Sequence, residues 1–66
     1  MSDIVKIAVD AMGGDNSPQK IIDGIVHNHK NNNNIFYKIF GDKQKINKLI
    51  NGNIKNGLYE IIHTEN

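Results

Sequence analysis

Three short runs of β-branched and aromatic residues, separated by two segments with helical spacing, constrain the fold of this chain most strongly. The runs cover residues 4–10, 35–40 and 58–63. Short, nearly continuous apolar runs are typical of strands in a parallel sheet, because such strands are covered on both faces. Strands that alternate with amphipathic helices predict an α/β fold, here a βαβαβ unit with a parallel three-stranded sheet.

Two amphipathic helices are predicted between these strands. Ser17 is a candidate N-cap of the first helix, and Pro18 suits its first helical position, where the missing N–H costs nothing. Gly24 lies within this helix, where glycine is unfavourable, so it is expected to mark close packing of the helix on a strand. The second helix is predicted over residues 43–50, behind Asp42 as its cap.

The order of the strands stays open at this point. Order 3-2-1 places both helices on one face of the sheet and leaves the other face bare, whereas order 2-1-3 places one helix on each face. Both orders leave two open sheet edges. Because a parallel sheet is normally covered on both faces, the unit is expected to be an incomplete part of a larger sheet.

Charge and cysteine content exclude several classes of function. The 66 residues carry eight lysines and seven acids, for a formal net charge of +1, and they include no arginine and no cysteine. This balance lacks the basic footprint of a nucleic-acid-binding protein. Disulfides and thiolate metal sites are excluded as well. The first apolar run is too short for a signal peptide or a membrane span, so a cytoplasmic location is expected.

Ligands of open α/β sheets bind beyond the carboxyl ends of the strands. Residues 10–17, 41–42 and 63–65 are predicted to occupy that edge. Gly41 and Asp42 are interpreted as a turn and a helix cap. His63 follows the third strand, where it is a candidate acid, base or hydrogen-bond donor near neutral pH.

The first of these segments carries the main candidate site, formed by Asp10, Gly13, Gly14 and Asp15. The glycines permit positive φ and close approach of a ligand, and the following helix start directs free N–H groups toward an anion. A tight strand-to-helix turn braced by Asp15 is the competing interpretation. Asp15 itself repels phosphate, and its alternative roles are to orient a loop N–H, to pair with a lysine supplied elsewhere or to bind a hydroxyl.

The histidines of the first helix give no metal site. His27 and His29 are two positions apart, so they point to different faces of the helix. No nucleophile–histidine–acid set is evident in the sequence, and neither a metal nor another cofactor is expected.

The first strand and its loop resemble a known family. DAMGGD at residues 10–15, with Pro18 and Gly24 behind it, is followed in order by IFGD at 39–42 and IIHTE at 61–65. These strings resemble the opening of the bacterial phosphate acyltransferases, and the resemblance extends over essentially the whole chain. One departure is the bulky phenylalanine before the second Gly-Asp, where the family is expected to have an aliphatic residue.

The resemblance implies a reaction and a fold. The family transfers a fatty acyl group from acyl carrier protein to inorganic phosphate, and the acyl phosphate feeds phospholipid synthesis. Its fold is Rossmann-like, related to phosphotransacetylase and isocitrate dehydrogenase, and usually forms a homodimer that associates at most peripherally with membranes. Carried over, Asp10, Gly13, Gly14 and Asp15 line the substrate and phosphate side of the cleft, with His63 beside it.

Family members are several times longer than this chain. Residues 1–66 are therefore expected to be a single partial α/β domain, the amino-terminal portion of the family fold, without most of the active site. Three hypotheses follow for the chain by itself. It is inactive alone, it is an assembly module that docks on the missing remainder of a split enzyme, or it is a small anion- or nucleotide-binding domain.

Overall fold

The computed structural model describes residues 3–65 and contains one parallel three-stranded sheet with two helices. The elements follow in the order β1 (Val5–Asp10), α1 (Gln19–Asn31), β2 (Ile35–Gly41), α2 (Lys43–Ile50) and β3 (Tyr59–His63). The predicted βαβαβ unit is thereby confirmed. Neither helix in this part of the chain is long and apolar enough to cross a lipid bilayer.

The strands lie in the order β1-β2-β3, so β2 is central. This is the 3-2-1 arrangement, and the alternative 2-1-3 order is wrong. Val9 pairs with Ile39, and Ile39 pairs with Ile61, with all strands parallel. The carboxyl ends of the three strands therefore lie at one edge of the sheet.

Both helices pack on the same face of the sheet. Tyr37 and Ile39 of β2 are buried on that face, whereas Lys38 between them is exposed. One core cluster joins them to two buried isoleucines of α1 and two of α2, namely Ile22, Ile25, Ile46 and Ile50. The opposite face has no helix over it in residues 3–65, so the sheet is covered on one side.

The bare face is mixed in character rather than uniformly apolar. Phe36 and Phe40 are half-buried there, on either side of exposed Lys38. The Lys38 ammonium lies 6.0 Å from the centre of the Phe40 ring. Glu60 of β3 is in register with Lys38, so opposite charges face each other across the strands.

The loop after α2 supplies a core residue that helical spacing did not predict. α2 ends at Ile50, its C-cap Asn51 has a left-handed φ of 42°, and the Asn53 N–H donates to the Ile50 carbonyl at 2.7 Å. This turn directs Ile54 into the core, where it is 2% exposed. The backbone N–H of Lys55 then donates to Nε2 of His29 at 3.1 Å, which fixes the loop to α1.

The predicted start of α1 is wrong by one residue. The helix begins at Gln19, and its N-terminus has no side-chain cap. Asn16 has a left-handed φ of 62°, so the chain turns before Ser17. The Ser17 hydroxyl donates to the carbonyl of Gly13 instead of capping the helix, and the Ser17–Pro18 peptide bond is cis.

Gly24 does not mark close helix–strand packing, contrary to expectation. It is exposed, and a Cβ built on it would meet no atom within 4 Å. The side of α1 that faces the core carries Ile22 and Ile25. Packing therefore does not require a glycine at this position.

Tyr37 is buried in the core with an unsatisfied hydroxyl. Its side chain is 3% exposed, and its Oη has no hydrogen-bond partner among the described residues. Burial disfavours the phenolate and raises the pKa of Tyr37 above its ordinary 10.0. The neutral ring therefore contributes stability that is fully present below about pH 10. That stability is lost as the pH rises from the unfolded-state pKa through the folded-state pKa.

The substitution Tyr37→Phe is expected to stabilise the chain by about 1 kcal/mol at neutral pH, because it removes a buried unsatisfied hydroxyl. It should also remove the part of the alkaline destabilisation that comes from ionising this ring. Urea unfolding of both proteins at pH 7 and above pH 10 measures both effects. Tyr59→Phe, on the neighbouring strand and half-buried, is the matched control. A loss of stability in Tyr37→Phe at pH 7 would show that the hydroxyl is bonded.

Candidate functional site

The three strand ends form one continuous edge. Beyond the last paired residues, the Ala11 N–H donates to the Phe40 carbonyl and the Thr64 N–H donates to the Gly41 carbonyl, both at 2.9 Å. The ladder thus extends into the loops that leave the sheet. Residues 10–17, 41–42 and 63–65 start from the same edge, as the sequence predicts.

The loop after β1 is braced by Asp10, and not by Asp15. Oδ1 of Asp10 accepts the Met12 N–H at 3.0 Å. Asp15 is exposed and makes no hydrogen bond or ion pair with another described residue. Its carboxylate therefore has no partner among the described residues. The roles of pairing with a lysine from elsewhere or binding a hydroxyl stay predictions.

The two glycines of this loop differ in what they require. Gly14 has a φ of 87°, a left-handed conformation that side chains other than glycine rarely adopt. Gly13 is not left-handed, and a Cβ there would lie 3.7 Å from Oδ2 of Asp10, an ordinary contact. The backbone freedom expected at the pair is therefore needed at Gly14.

Gly41 is fixed by close packing at the edge. A Cβ on Gly41 would lie 2.8 Å from Cδ1 of Ile46 and 2.9 Å from Cγ of Met12. Both distances are shorter than real carbon contacts. The Met12 side chain can lie across the end of β2 only because residue 41 has no side chain. Sequence reasoning did not single out Met12, although its place between Asp10 and the glycines brings it to this edge.

Two side chains satisfy free N–H groups at the start of α2. Oδ1 of Asp42 accepts the Lys45 N–H at 3.2 Å, which confirms the predicted cap. Nδ1 of His63 accepts the Lys43 N–H at 3.1 Å, across 20 residues of sequence. A helix N-terminus leaves such donors without intrahelical partners, so both contacts stabilise α2.

The contact to Lys43 determines which nitrogen of His63 carries the proton. Because Nδ1 accepts a hydrogen bond, the proton of the neutral ring is on Nε2. Nε2 lies 3.7 Å from Oε1 of Glu65, and the side chains of His63 and Glu65 are 47% and 89% exposed. His63 therefore presents an N–H donor to solvent at the sheet edge.

One hollow of about 470 Å³ opens at this edge, lined by Met12, Asp42, His63, Thr64 and Glu65. It brings His63 together with Met12 and Thr64, which sequence analysis did not single out. The other predicted site residues do not line it. Those residues belong to the neighbouring loop after β1, and they are Asp10, Gly13, Gly14 and Asp15.

The charge of the edge is mainly negative. Its three segments carry four carboxylates, on Asp10, Asp15, Asp42 and Glu65. Like charges raise the cost of bringing a phosphate to the same place. Phosphate binding here needs the backbone donors and His63, together with cations from outside these segments. Within residues 3–65, no group of three His, Asp or Glu side chains is placed to hold a metal ion.

Comparison with known proteins identifies relatives over the whole of this unit. The family described as fatty acid synthesis protein matches residues 5–66. A phosphate acyltransferase of Pelagibacter ubique is 65% identical over 65 residues, which is 98% of this chain and 19% of the relative.

Two more distant relatives are also phosphate acyltransferases. The phosphate acyltransferase of a Nitratiruptor species is 45% identical over 62 residues, covering 94% of this chain and 18% of the relative. That of Streptococcus mutans is 42% identical over 60 residues, covering 91% and 17%. The chain therefore spans about a fifth of the length of the curated relatives that it matches.

Proposed function

The chain belongs to the fatty acid synthesis protein family, together with phosphate acyltransferases, and on that premise we propose that it forms one wall of a phosphate acyltransferase cleft. In the proposed reaction an oxygen of inorganic phosphate attacks the carbonyl carbon of an acyl carrier protein thioester. The carrier thiolate leaves, and the product is an acyl phosphate for phospholipid synthesis. The observation that supports this proposal most is the 65% identity to a phosphate acyltransferase over nearly the whole chain.

The edge residues have separate roles in this proposal. Such a transfer requires two bound anions, an oriented carbonyl and stabilisation of the oxyanion. We assign the Nε2–H of His63 as a donor to an anionic oxygen in the hollow. Gly14 lets the backbone of the loop turn beside it, and Asp10 holds that loop in place.

The 66 residues are proposed to be inactive by themselves. The edge carries four carboxylates, and the chain has no arginine to bind phosphate through two parallel hydrogen bonds. The same charges disfavour a stand-alone anion-binding domain. We expect the cations of the cleft to come from the remaining length of the family fold.

An assembly module is the second candidate, favoured by apolar surface beside the open edge. Ile4, Val5 and Ile7 are 53%, 57% and 39% exposed, at and along edge strand β1. Edge strands with exposed apolar residues readily pair with another chain. A separately expressed remainder of the enzyme is the partner that this surface would take.

A chimera tests the proposed activity directly. The residues of this chain replace the matching region of the Pelagibacter ubique phosphate acyltransferase, and acyl phosphate formation from acyl carrier protein thioester and phosphate is measured. We expect a rate within about tenfold of the parent, a barrier difference of about 1.4 kcal/mol. A folded chimera without turnover would contradict the proposal. Turnover by the isolated chain would contradict its inactivity, and co-purification with the remainder tests the assembly module.

Two substitutions separate the roles proposed for His63. Asparagine places an acceptor near the position of Nδ1 but has no donor at Nε2, whereas glutamine supplies a donor near Nε2 and no acceptor at Nδ1. In the chimera, His63→Asn is expected to lower kcat/KM about 100-fold with little loss of stability. His63→Gln is expected to cost about 1 kcal/mol of stability and to retain more turnover. If both variants turn over as fast as the unsubstituted chimera, His63 only caps α2.

A further inference from the structure

A second hollow lies between the start of α1 and the outer side of α2. Its volume is about 590 Å³. It is separate from the hollow that contains His63, and the two have no lining residue in common. We call it the lysine groove, and its walls include Ser17, Pro18, Gln19, Lys45, Lys48 and Leu49.

The groove is positively charged along one side. Lys45 and Lys48 are three positions apart, so they lie on the same face of α2. Both are exposed, and neither forms an ion pair with another described residue. No residue that lines the groove is acidic. The carboxylates near the strand ends belong to the other hollow or to the loop after β1, so charge is segregated between neighbouring surfaces.

Most of the exposed lining of the groove is apolar, with the charges at its rim. Pro18 and Leu49 are half-buried there. The other large apolar side chains of α2, Ile46 and Ile50, are buried in the core and cannot enter a lipid phase. Membrane binding by a helix needs a free apolar face, which α2 lacks. An apolar floor flanked by two lysines fits a protein surface that presents apolar side chains among acidic ones.

We infer that the lysine groove docks the acidic surface of the carrier protein that delivers the acyl thioester. This inference rests on the proposed function and adds a partner surface to it. Charge complementarity supplies the attraction. The groove also adjoins the edge formed by the strand ends. Ser17 lies in the wall of the groove, and its hydroxyl donates to the carbonyl of Gly13 in the loop after β1. A carrier bound here lies beside that loop.

Titration of the isotope-labelled chain with acyl carrier protein tests docking without any need for turnover. Resonances of Gln19, Lys45, Lys48 and Leu49 are expected to shift on binding. The variant Lys45→Glu/Lys48→Glu should bind at least about tenfold more weakly, and wild-type binding should weaken as salt is raised. Lys6→Glu/Lys30→Glu is the control, with two exposed lysines that do not line the groove and the same change of net charge. It should change affinity less than about twofold.

Several outcomes would overturn the inference. If both variants lose the same affinity for acyl carrier protein, the effect comes from net charge and not from the groove. If the wild-type chain does not bind acyl carrier protein, the groove is not a docking site in the isolated chain. Displacement of the carrier by millimolar inorganic phosphate would identify an anion site instead. Equal affinity of the chain for vesicles of anionic lipid would identify a lipid surface.

Kinetics of the chimera give a second measurement that does not depend on the isolated chain folding. There Lys45→Glu/Lys48→Glu is expected to raise KM for acyl carrier protein thioester about tenfold. The kcat with a small acyl thioester that lacks the carrier should not change. An unchanged KM would overturn docking. Loss of turnover with both substrates in the unsubstituted chimera would instead contradict the proposed function, while the titration still decides the docking.

Discussion

Replacement of Ile39 by alanine is expected to lower the free energy of unfolding by about 2–5 kcal/mol, the usual cost of a cavity at a fully buried isoleucine. Ile39 is 0% exposed in the central strand and belongs to the core cluster that both helices share. A domain of this size has about 3–10 kcal/mol of stability in total. The substitution should therefore leave a large fraction of the chain unfolded, as measured by circular dichroism during urea titration.

Ile62→Ala is the matched control for this prediction. Ile62 lies in β3 in register with Phe40 on the bare face of the sheet, and it is half-buried. The same chemical change there should cost less than about 1.5 kcal/mol, because less apolar area is lost from contact. An equal cost at both positions would mean that a partner covers the bare face in solution.

Alanine at Gly41 is expected to destabilise the chain by about 1–3 kcal/mol through overpacking. The new methyl group would meet Cδ1 of Ile46 at 2.8 Å and Cγ of Met12 at 2.9 Å. Its φ is not left-handed, so the cost comes from the crowded contacts and not from backbone strain. Gly24→Ala is the control, since that position is exposed and unobstructed, and it should gain up to about 1 kcal/mol.

A double-mutant cycle identifies the clash. Ile46→Val removes the Cδ1 atom that lies nearest to the added methyl group. In that background Gly41→Ala should cost about 1 kcal/mol less than in the parent, which is a coupling typical of residues in contact. Additive effects in urea unfolding would show that residue 41 is limited by something other than Ile46.

Local patterns predicted the elements well and their arrangement less well. The bounds of α2 follow from Asp42 and the helical spacing behind it, and residues 43–50 were predicted as observed. Strand order depends on contacts between distant segments, and the spacing of residues along the chain does not predict those contacts. Ile54 was missed for the same reason, because a turn and not a helical period directs it into the core.

The start of α1 shows how one backbone residue overrides a good local signal. Serine before proline is a favourable helix start, yet Asn16 takes a left-handed conformation and the hydroxyl of Ser17 is directed back to Gly13. A single sequence does not reveal that choice, because asparagine accepts both conformations.

The candidate site was predicted as three segments at one edge, and its internal contacts were not. The hydrogen bond between His63 and the Lys43 N–H exists because Gly41 and His63 are in register on neighbouring strands. The same register leaves room for Met12 over Gly41. Both contacts join residues more than 15 positions apart, so they depend on the pairing of strands and not on any motif.

The acceptor that completes the first turn of α2 comes from a strand that follows it in the chain. The Lys43 N–H can reach Nδ1 of His63 only after β3 has joined the sheet. The proton position on the His63 ring is therefore set by tertiary structure, and it reports whether β3 has paired with β2. Nitrogen chemical shifts of this one ring would follow the joining of β3 to the sheet, and the same step prepares the donor that we assign to the substrate.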